Sequence, residues 1–331
     1  MRCAVVGAGA WGTALADMLA CAGHSVRMWA LEPEIADAIN GRRENPVFLP
    51  GFSLARSIVA TTDHSQALEG AELVLYATPS QHLRGVVRAG VQYLTKSAAL
   101  AVASKGIEQR TLALMSEVVS NEAKAHPVVA ISGPSFAVEV AARQPTAIVA
   151  ASTDAEAAHL TQDALSSPTF RVYTHDDLIG VELGGSLKNV MAVATGIAEG
   201  LGLGNNSRAA LITRGLAEMT RLGVALGARA STFAGLAGIG DLVLTCTGAL
   251  SRNRAVGVEI GKGRTLNEAL AGKPTVAEGV ATTTSAVALA QREGVEMPIA
   301  MTVYRILFEG HTARGAIADL MARELRAEQD E

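Results

Sequence analysis

Aromatic side chains are scarce in this 331-residue chain: two Trp, four Tyr and six Phe amount to 4% of it. So few leave little with which to stack successive bases, and a single-strand nucleic-acid platform is not expected. Cysteine is scarcer. Cys3, Cys21 and Cys246 form neither a Cys-x-x-Cys pair nor a disulfide framework, the usage of a reducing compartment. The seven histidines are scattered without a ligand spacing, so no metal site is read. Charge of one sign is also missing. The 28 basic and 32 acidic residues leave a net charge of −4 and a pI near 6.0, so no basic field exists to hold nucleic acid or an anionic membrane. No apolar run approaches the ~18 residues of a membrane helix, and the N-terminus lacks the separate basic and apolar zones of a secretion signal. The expectation is a soluble cytoplasmic protein whose anionic ligands are held by a few local cations.

Hydrophobic types are plentiful at 49%, and the mean hydropathy of +0.26 excludes a disordered chain. The length suits about two domains. In the first half, short β-branched runs at 2–6, 25–29, 73–77, 99–103 and 128–131 read as strands. Helical stretches at 11–22, 80–92 and 112–120 alternate with them, which predicts a mostly parallel sheet covered on both faces. Two more strands, 146–150 and 170–173, flank a helix beginning at Asp154. Beyond about residue 177, Leu183, Leu187, Val190, Ala194 and Ile197 recur at helical spacing and β-branched runs become rare. Loops are expected at 200–206, 237–241 and 248–254. The fold class is therefore α/β: an N-terminal Rossmann-type domain over residues 1–180, then an all-α C-terminal domain over 181–331. The charged tail, 323–331, is expected to fray.

Gly7-Ala8-Gly9-Ala10-Trp11-Gly12 follows the first strand and opens a helix, the context a dinucleotide-binding fingerprint requires. Gly7 permits the tight turn, Gly9 lets a pyrophosphate approach the backbone, and Gly12 lets helix and strand pack closely. The helix N-terminus adds free N–H groups and a positive dipole end. The bland alternative is a tight βα turn that binds nothing. Glu32, 20 residues beyond Gly12, stands where an acidic side chain would accept both adenosine-ribose hydroxyls and repel a 2′-phosphate. That favours NAD(H) over NADP(H), with Arg27 inside the strand and pointing elsewhere. Glu32 reads equally as the acidic start of a helix with Pro33 at its first position.

Further motifs follow in order: Arg43-Glu44-Asn45-Pro46, Leu49-Pro50-Gly51, Ala77-Thr78-Pro79-Ser80, Ser104-Lys105-Gly106-Ile107-Glu108 and Gly133-Pro134-Ser135-Phe136-Ala137. Val181-Glu182-Leu183-Gly184-Gly185-Ser186-Leu187-Lys188-Asn189, Gly238-Ile239-Gly240-Asp241-Leu242 and Ser251-Arg252-Asn253 complete the series. This succession, from about residue 3 to about 310, resembles the bacterial NAD(P)-dependent sn-glycerol-3-phosphate dehydrogenases. The resemblance implies reversible reduction of dihydroxyacetone phosphate to sn-glycerol 3-phosphate, feeding phospholipid synthesis, in a homodimer. It implies that Trp11, Ala137, Val276 and Glu278 lie along the cofactor. Lys105, Gly133, Ser135, Asp241, Ser251, Arg252 and Asn253 match substrate-contacting positions, with Lys105 and Arg252 also reaching the cofactor. Lys188 matches the proton-transfer residue. One departure is that Leu31 and Glu32 stand where family members often carry a basic residue, against the usual NADPH preference.

The same residues make chemical sense. Hydride delivery to a ketone builds negative charge on its oxygen, and a protonated group must stabilise that charge and donate a proton. Lys188 suits this if desolvation lowers its pKa. Gly184 and Gly185, one helical turn before it, would clear room for a three-carbon substrate, at roughly 1 kcal/mol of helix stability each. On spacing alone, a solvated lysine beside two helix–helix contact glycines fits as well. Lys105, just beyond a strand at the ligand edge of the sheet, would polarise the carbonyl and depress the Lys188 pKa. Asp241 would accept from a substrate hydroxyl or hold Lys188; Thr245 would reinforce either contact or simply pack. Ser251-Arg252-Asn253, with Arg254 nearby, offers a hydroxyl, a guanidinium fork and an amide to a phosphate, or else a helix cap. Ser135 reads as an N-cap whose neighbouring N–H groups face the substrate. Cys246 has no histidine near it in sequence and reads as buried filler. Two other classes compete: a Rossmann-plus-helical dehydrogenase of a 3-hydroxy acid or sugar acid, and a dinucleotide-sensing regulator, which leaves Lys105, Lys188 and Asp241 without a role.

Overall fold

The computed structural model of the chain describes residues 1–272, 277–322 and 324, so Val276 and all of the charged tail except Glu324 lie outside the described residues. Eight strands form one sheet: β1 (Arg2–Val6), β2 (Ser25–Trp29), β3 (Ile58–Thr61), β4 (Leu73–Tyr76), β5 (Ala99–Val102), β6 (Val128–Ser132), β7 (Thr146–Ala151) and β8 (Phe170–His175). Between them run α1 (Ala10–Cys21), α2 (Pro33–Arg42), α3 (His64–Leu68), α4 (Leu83–Gly90), α5 (Met115–Glu122), α6 (Ala137–Ala141) and α7 (Ala155–Leu165). The central strands are buried on both faces, which is why they read as unbroken apolar runs. In β1, Cys3 and Val5 face one apolar cluster while Ala4 and Val6 face another.

The strand order is β3-β2-β1-β4-β5-β6-β7-β8, parallel throughout except between β6 and β7. Val6 of β1 pairs with Trp29 on one side and Tyr76 on the other. The chain winds outward in both directions from there, and such a switch point opens a crevice beyond the carboxyl ends of the strands. Two features differ from the sequence reading. The edge strand β3 lies outside the expected set: Ile58-Val59-Ala60-Thr61 is an apolar run but only four residues long, and at the sheet edge its burial alternates, with Val59 exposed. The antiparallel turn from β6 to β7 keeps residues 133–145 at one edge of the sheet, so Gly133, Ser135 and Ala137 all stay beside the crevice. The helix expected over 80–92 is also interrupted, with 3₁₀ turns at Ser80–His82 and Val91–Tyr93 flanking α4.

After β8 the described chain is helical: α8 (Leu178–Gly200), α9 (Asn205–Ala225), α10 (Ala230–Phe233), α11 (Asp241–Thr247), α12 (Arg252–Gly261), α13 (Leu266–Leu270), α14 (Glu278–Glu293), α15 (Pro298–Phe308) and α16 (Ala313–Met321). Asp177 caps α8, its carboxylate accepting from the Gly180 N–H at 2.9 Å. The helix is then buried on every side from Gly180 to Ala198, as expected of a central helix with no polar face. One expected loop is helical instead and another is shortened. Residues 236–240 form a π-type turn that runs into α11, and the 248–254 loop ends at Ser251, where α12 begins. The stretch Ala230–Thr247 does reach the length and mean hydropathy (1.3) of a membrane span, contrary to the expectation. It is folded as α10, the π-type turn and α11 against α8, forming a wall of the protein core.

The helices α8 and α12 run parallel and in backbone contact. A Cβ on Gly196 would press on the Arg254 carbonyl and lie 3.0 Å from the Gly257 Cα; one on Gly200 would lie 2.9 Å from the Gly261 Cα. This contact sets the N-terminus of α12 beside the middle of α8. Lys188 lies ten residues into α8, about 15 Å along its axis.

Candidate active site

The glycine-rich turn after β1 has the geometry a pyrophosphate cradle needs. Gly7 adopts φ +118°, and a Cβ there would lie 2.8 Å from the Ala77 carbonyl oxygen across the switch point. A Cβ on Gly12 would collide with the Gly7 carbonyl, so close packing demands glycine. Nothing lies within 4 Å of the position a Gly9 Cβ would take, which leaves the approach to the N-terminus of α1 open. Trp11, on the first turn of α1, buries an indole N–H that has no hydrogen-bond partner. An open backbone, a helix N-terminus and an orphaned donor together fit a bound dinucleotide.

Asn45, part of the Arg43–Pro46 motif but given no role from the sequence, fixes this turn. Fully buried, it donates to the Ala8 carbonyl (2.8 Å) and to Thr13 Oγ1 (2.9 Å), and it accepts from the Phe48 N–H (3.0 Å). An isolated Asn-Pro pair carries no chemical signature, so only the fold reveals the contact. Glu32 ends the β2 connection at the N-cap of α2 with Pro33 at the first helical position, yet its carboxylate makes no cap bond. Among the described residues it has no hydrogen bond or ion pair, which leaves both oxygens for a ligand. Arg27 is turned away and donates to the Gln66 carbonyl. Ala137 opens α6 on the same edge, while Val276 lies outside the described residues.

A buried cluster of three charges lies where α8 meets the sheet edge. The Lys188 ammonium donates to Asp241 Oδ1 and, at 3.0 Å, to Thr245 Oγ1. Lys105 donates to Asp241 Oδ2 at 2.7 Å and to the Gly133 carbonyl at 3.3 Å. Asp241 is 0% exposed and Lys188 7%. Burial drives the Lys188 pKa down to about 7; Asp241 opposes that fall and Lys105 adds to it. Burial raises the Asp241 carboxyl, but the two ammonium groups outweigh it and hold the group below its ordinary value. Asp241 therefore holds both lysines, and Thr245 is an oriented hydroxyl that also donates to the Asp241 carbonyl at 2.7 Å. Cys246 is fully buried and its thiol is pushed up to about 12, consistent with filler.

Three sequence expectations about this region need correction. A Cβ on Gly184 would strike the Ala237 carbonyl and one on Gly185 the Ser132 hydroxyl, so these glycines admit protein neighbours rather than clear room for substrate. Ser135 does not cap a helix: Phe136 occupies the N-cap of α6, and the Ser135 hydroxyl donates to the Gly133 carbonyl at 3.0 Å. Arg254 is not a spare cation, because Glu199 pairs with it and the Gly248 carbonyl accepts from its Nε at 3.2 Å.

The Ser251-Arg252-Asn253 segment is a helix start. The Ser251 Oγ accepts from the Arg254 N–H at 3.3 Å, and Arg252 is the first residue of α12. Asn253 is committed on both sides: it donates to Asn189 Oδ1 and accepts from the Gly279 N–H, each at 2.9 Å. This ties the first turns of α12 and α14 to the residue after Lys188, a link the sequence reading missed. Arg252 makes no hydrogen bond or ion pair among the described residues. The residue is exposed overall, yet partial burial holds its guanidinium below its ordinary value, and the charge of Glu278 opposes that fall. Glu278 accepts from the Ser80 N–H (2.9 Å) and hydroxyl (2.5 Å), bridging the loop after β4 to α14, and burial raises its carboxyl. The structure thus joins Lys105, Gly133, Ser135, Lys188 and Asp241 in one bonded cluster and seats Arg252 and Glu278 as charged neighbours. Gly7, Gly9, Trp11, Gly12, Glu32 and Ala137 stay on the sheet side, with no direct bond to the lysines.

Comparison with known proteins gives a consistent picture. Residues 2–158 match the family described as NAD-dependent glycerol-3-phosphate dehydrogenase N-terminus, and residues 177–318 the one described as its C-terminus. A glycerol-3-phosphate dehydrogenase, NAD(P)+, of Citrifermentans bemidjiense is 53% identical over 330 residues, 99% of this chain and 98% of the relative. Another of the same name from Geobacter sulfurreducens is 51% identical over 333 residues, 99% of each chain. The crystal structure of a glycerol-3-phosphate dehydrogenase from Coxiella burnetii superposes with a TM-score of 0.94 at 42% identity, covering 97% of this chain and 99% of that one.

Proposed function

The chain belongs to the NAD-dependent glycerol-3-phosphate dehydrogenase family, and on that premise we propose how its crevice carries out the reaction. The protein is an oxidoreductase that reversibly reduces dihydroxyacetone phosphate to sn-glycerol 3-phosphate with NAD(P)H. The nicotinamide supplies the hydride when bound. The observation that carries the mechanism is the buried Lys188–Asp241–Lys105 cluster.

Lys188 is the proton donor in reduction and the acceptor in oxidation. With its pKa near 7, both forms are populated around neutrality, which a reversible reaction needs. Asp241 keeps the ammonium oriented and ionised. Lys105 supplies a second positive charge for the oxygen that becomes negative. Arg252, the Ser251 hydroxyl and the N-terminus of α12 form a seat for the phosphate dianion, where a guanidinium and a helix dipole act together. A carboxylated substrate would need less charge there than this seat provides. Gly133, Ser135 and Asn253 shape the pocket, the last through its bonds to Asn189 and Gly279.

Gly7, Gly9, Gly12 and Trp11 hold the dinucleotide with Ala137, Val276 and Glu278, and the unspent Glu32 carboxylate inclines the site towards NAD(H). Residues 1–180 serve as the dinucleotide-binding part and 181–331 as the substrate part. We infer a cytoplasmic homodimer that works on small molecules alone and supplies glycerol phosphate for phospholipid synthesis. The test follows reduced-nicotinamide absorbance with dihydroxyacetone phosphate and each cofactor in turn. Lys188→Ala should lower turnover by roughly 10²–10⁴-fold; near-normal turnover removes Lys188 from the role.

A further inference from the structure

The segment that carries Lys105 is tethered to three neighbours: its own Ser104 hydroxyl bonds outward, and its carbonyls accept from side chains of α8, α14 and the loop after β4. The Ser104 hydroxyl donates to the Thr78 carbonyl at 2.5 Å, anchoring the segment to the loop after β4. The Gly106 carbonyl accepts from the Ser186 hydroxyl of α8 at 3.1 Å. The Ile107 carbonyl accepts from the Ser285 hydroxyl of α14 at 3.0 Å and from Gln81 Nε2 at 2.9 Å. Ser285 has a weaker alternative in its own helix, the Ala281 carbonyl at 3.5 Å, so the bond across to Ile107 is the shorter one. Ser186 and Ser285 are 2% and 1% exposed, and a Cβ on Gly106 would lie 2.6 Å from the Ser80 side chain. Ser186 stands two residues before Lys188 on the same helix.

We propose that Ser186, together with Ser285, is a positioning residue that fixes the spacing between the Lys105 and Lys188 ammonium groups and thereby sets the proton affinity of Lys188. The inference rests on the catalytic reading above. One helix carries the proton donor and also the hydroxyl that grips the loop of the second cation, so α8 itself serves as the spacer. The charged groups facing Lys188 are Asp241 on α11 and Lys105; Thr245 faces it as a neutral hydroxyl, and Cys246 stays a thiol. Asp241 is fully buried whereas the Lys105 side chain is 18% exposed, so once the bonds to its loop are cut Lys105 is the partner that can recede. Like-charge repulsion scales inversely with distance. For two unit charges at an effective dielectric of about 20, widening a gap of about 4 Å to about 5 Å weakens the repulsion by a fifth, which corresponds to a rise of roughly half a pH unit in the Lys188 midpoint.

The experiment measures how acetylation of Lys188 by acetic anhydride depends on pH, read by peptide mass spectrometry on the full-length protein. The proteins are wild type, Ser186→Ala, Ser285→Ala, the double variant and Lys105→Met. Lys105→Met and the double variant should both move the midpoint of Lys188 labelling to higher pH, and the alkaline limb of dihydroxyacetone phosphate reduction should move with it. A Ser186→Thr variant, which keeps the hydroxyl, should restore the wild-type midpoint. The proposal is overturned if Lys105→Met moves the midpoint and the folded serine variants do not, or if Lys105→Met itself leaves it in place. Failure of the catalytic reading looks different: the labelling midpoints shift as described, but the wild type does not reduce dihydroxyacetone phosphate.

Discussion

Asp241→Asn perturbs the centre of the charged cluster without changing its shape. In the wild type, one carboxylate stands between two ammonium groups, and the Lys188 pKa of about 7 results from burial pulling down against Asp241 pulling up. Taking one charge out of a buried ionic cluster costs ~3–5 kcal/mol, because its partners are left uncompensated. The least costly relief is for Lys188 to release its proton, which converts that energy into a pKa lower by about two to four pH units. At pH 7 the protonated fraction then falls from about half to roughly one in 10² or less, and the reduction rate falls by ~10²-fold or more. The assay is kcat/KM for dihydroxyacetone phosphate as a function of pH, with circular dichroism to confirm folding. The wild type should lose activity as pH rises through about 7, and in the variant that limb should move well into the acid range. A folded variant whose limb stays near 7 would refute the idea that Asp241 sustains the charge on Lys188.

Three further perturbations test other parts of the site. Gly12→Ala drives a methyl group into the Gly7 carbonyl, so the turn must shift at a cost of ~1–3 kcal/mol, and NADH affinity by fluorescence titration should drop at least tenfold; unchanged affinity would count against the cradle. Glu32→Ser removes a free carboxylate at the end of the β2 connection, so the ratio of kcat/KM for NADH to that for NADPH should fall about tenfold or more, and a constant ratio would clear Glu32 of any part in cofactor choice. Glu218, buried beneath α15, accepts from the Ile299 and Ala300 N–H groups at 2.7 and 3.2 Å, and burial raises its pKa from 4.5 to about 7. Its folded form thus binds a proton more readily than its unfolded form. The resulting stability is fully present below about pH 4.5 and is lost as pH rises to about 7, a change of order 3 kcal/mol. Glu218→Gln should flatten that part of the pH dependence in urea unfolding, and a profile parallel to the wild type would contradict the assignment.

The fold was largely legible because its cues are local. Seven of the eight strands announce themselves as short apolar or β-branched runs, and the Gly7–Gly12 turn has a spacing with one steric meaning. The edge strand β3 escaped although Ile58-Val59-Ala60-Thr61 is itself apolar, because nothing local separates so short a run from a loop. At the site, residue identity was readable and partnership was not. Lys105, Lys188 and Asp241 stand far apart in sequence and meet only through the packing of α8 and α11 on the sheet. Gly184 and Gly185 show the limit most clearly: sequence registers the missing side chains, whereas only the fold shows that Ala237 and Ser132 fill the space. Asn45, Ser80 and Asn189 act through bonds to neighbours distant in sequence, and no spacing rule reports those.

The glycine contact between α8 and α12 has a mechanical corollary. Two backbones that touch without intervening side chains have no soft layer in which to slide, so the pair responds to force as one stiff beam. Lys188 and the start of α12 ride on that beam and keep their mutual spacing when the enzyme breathes. Opening to admit reactants would then fall to the joint between the helices and the strand edge, where the Ser80–Glu278 bonds tie the loop after β4 to α14.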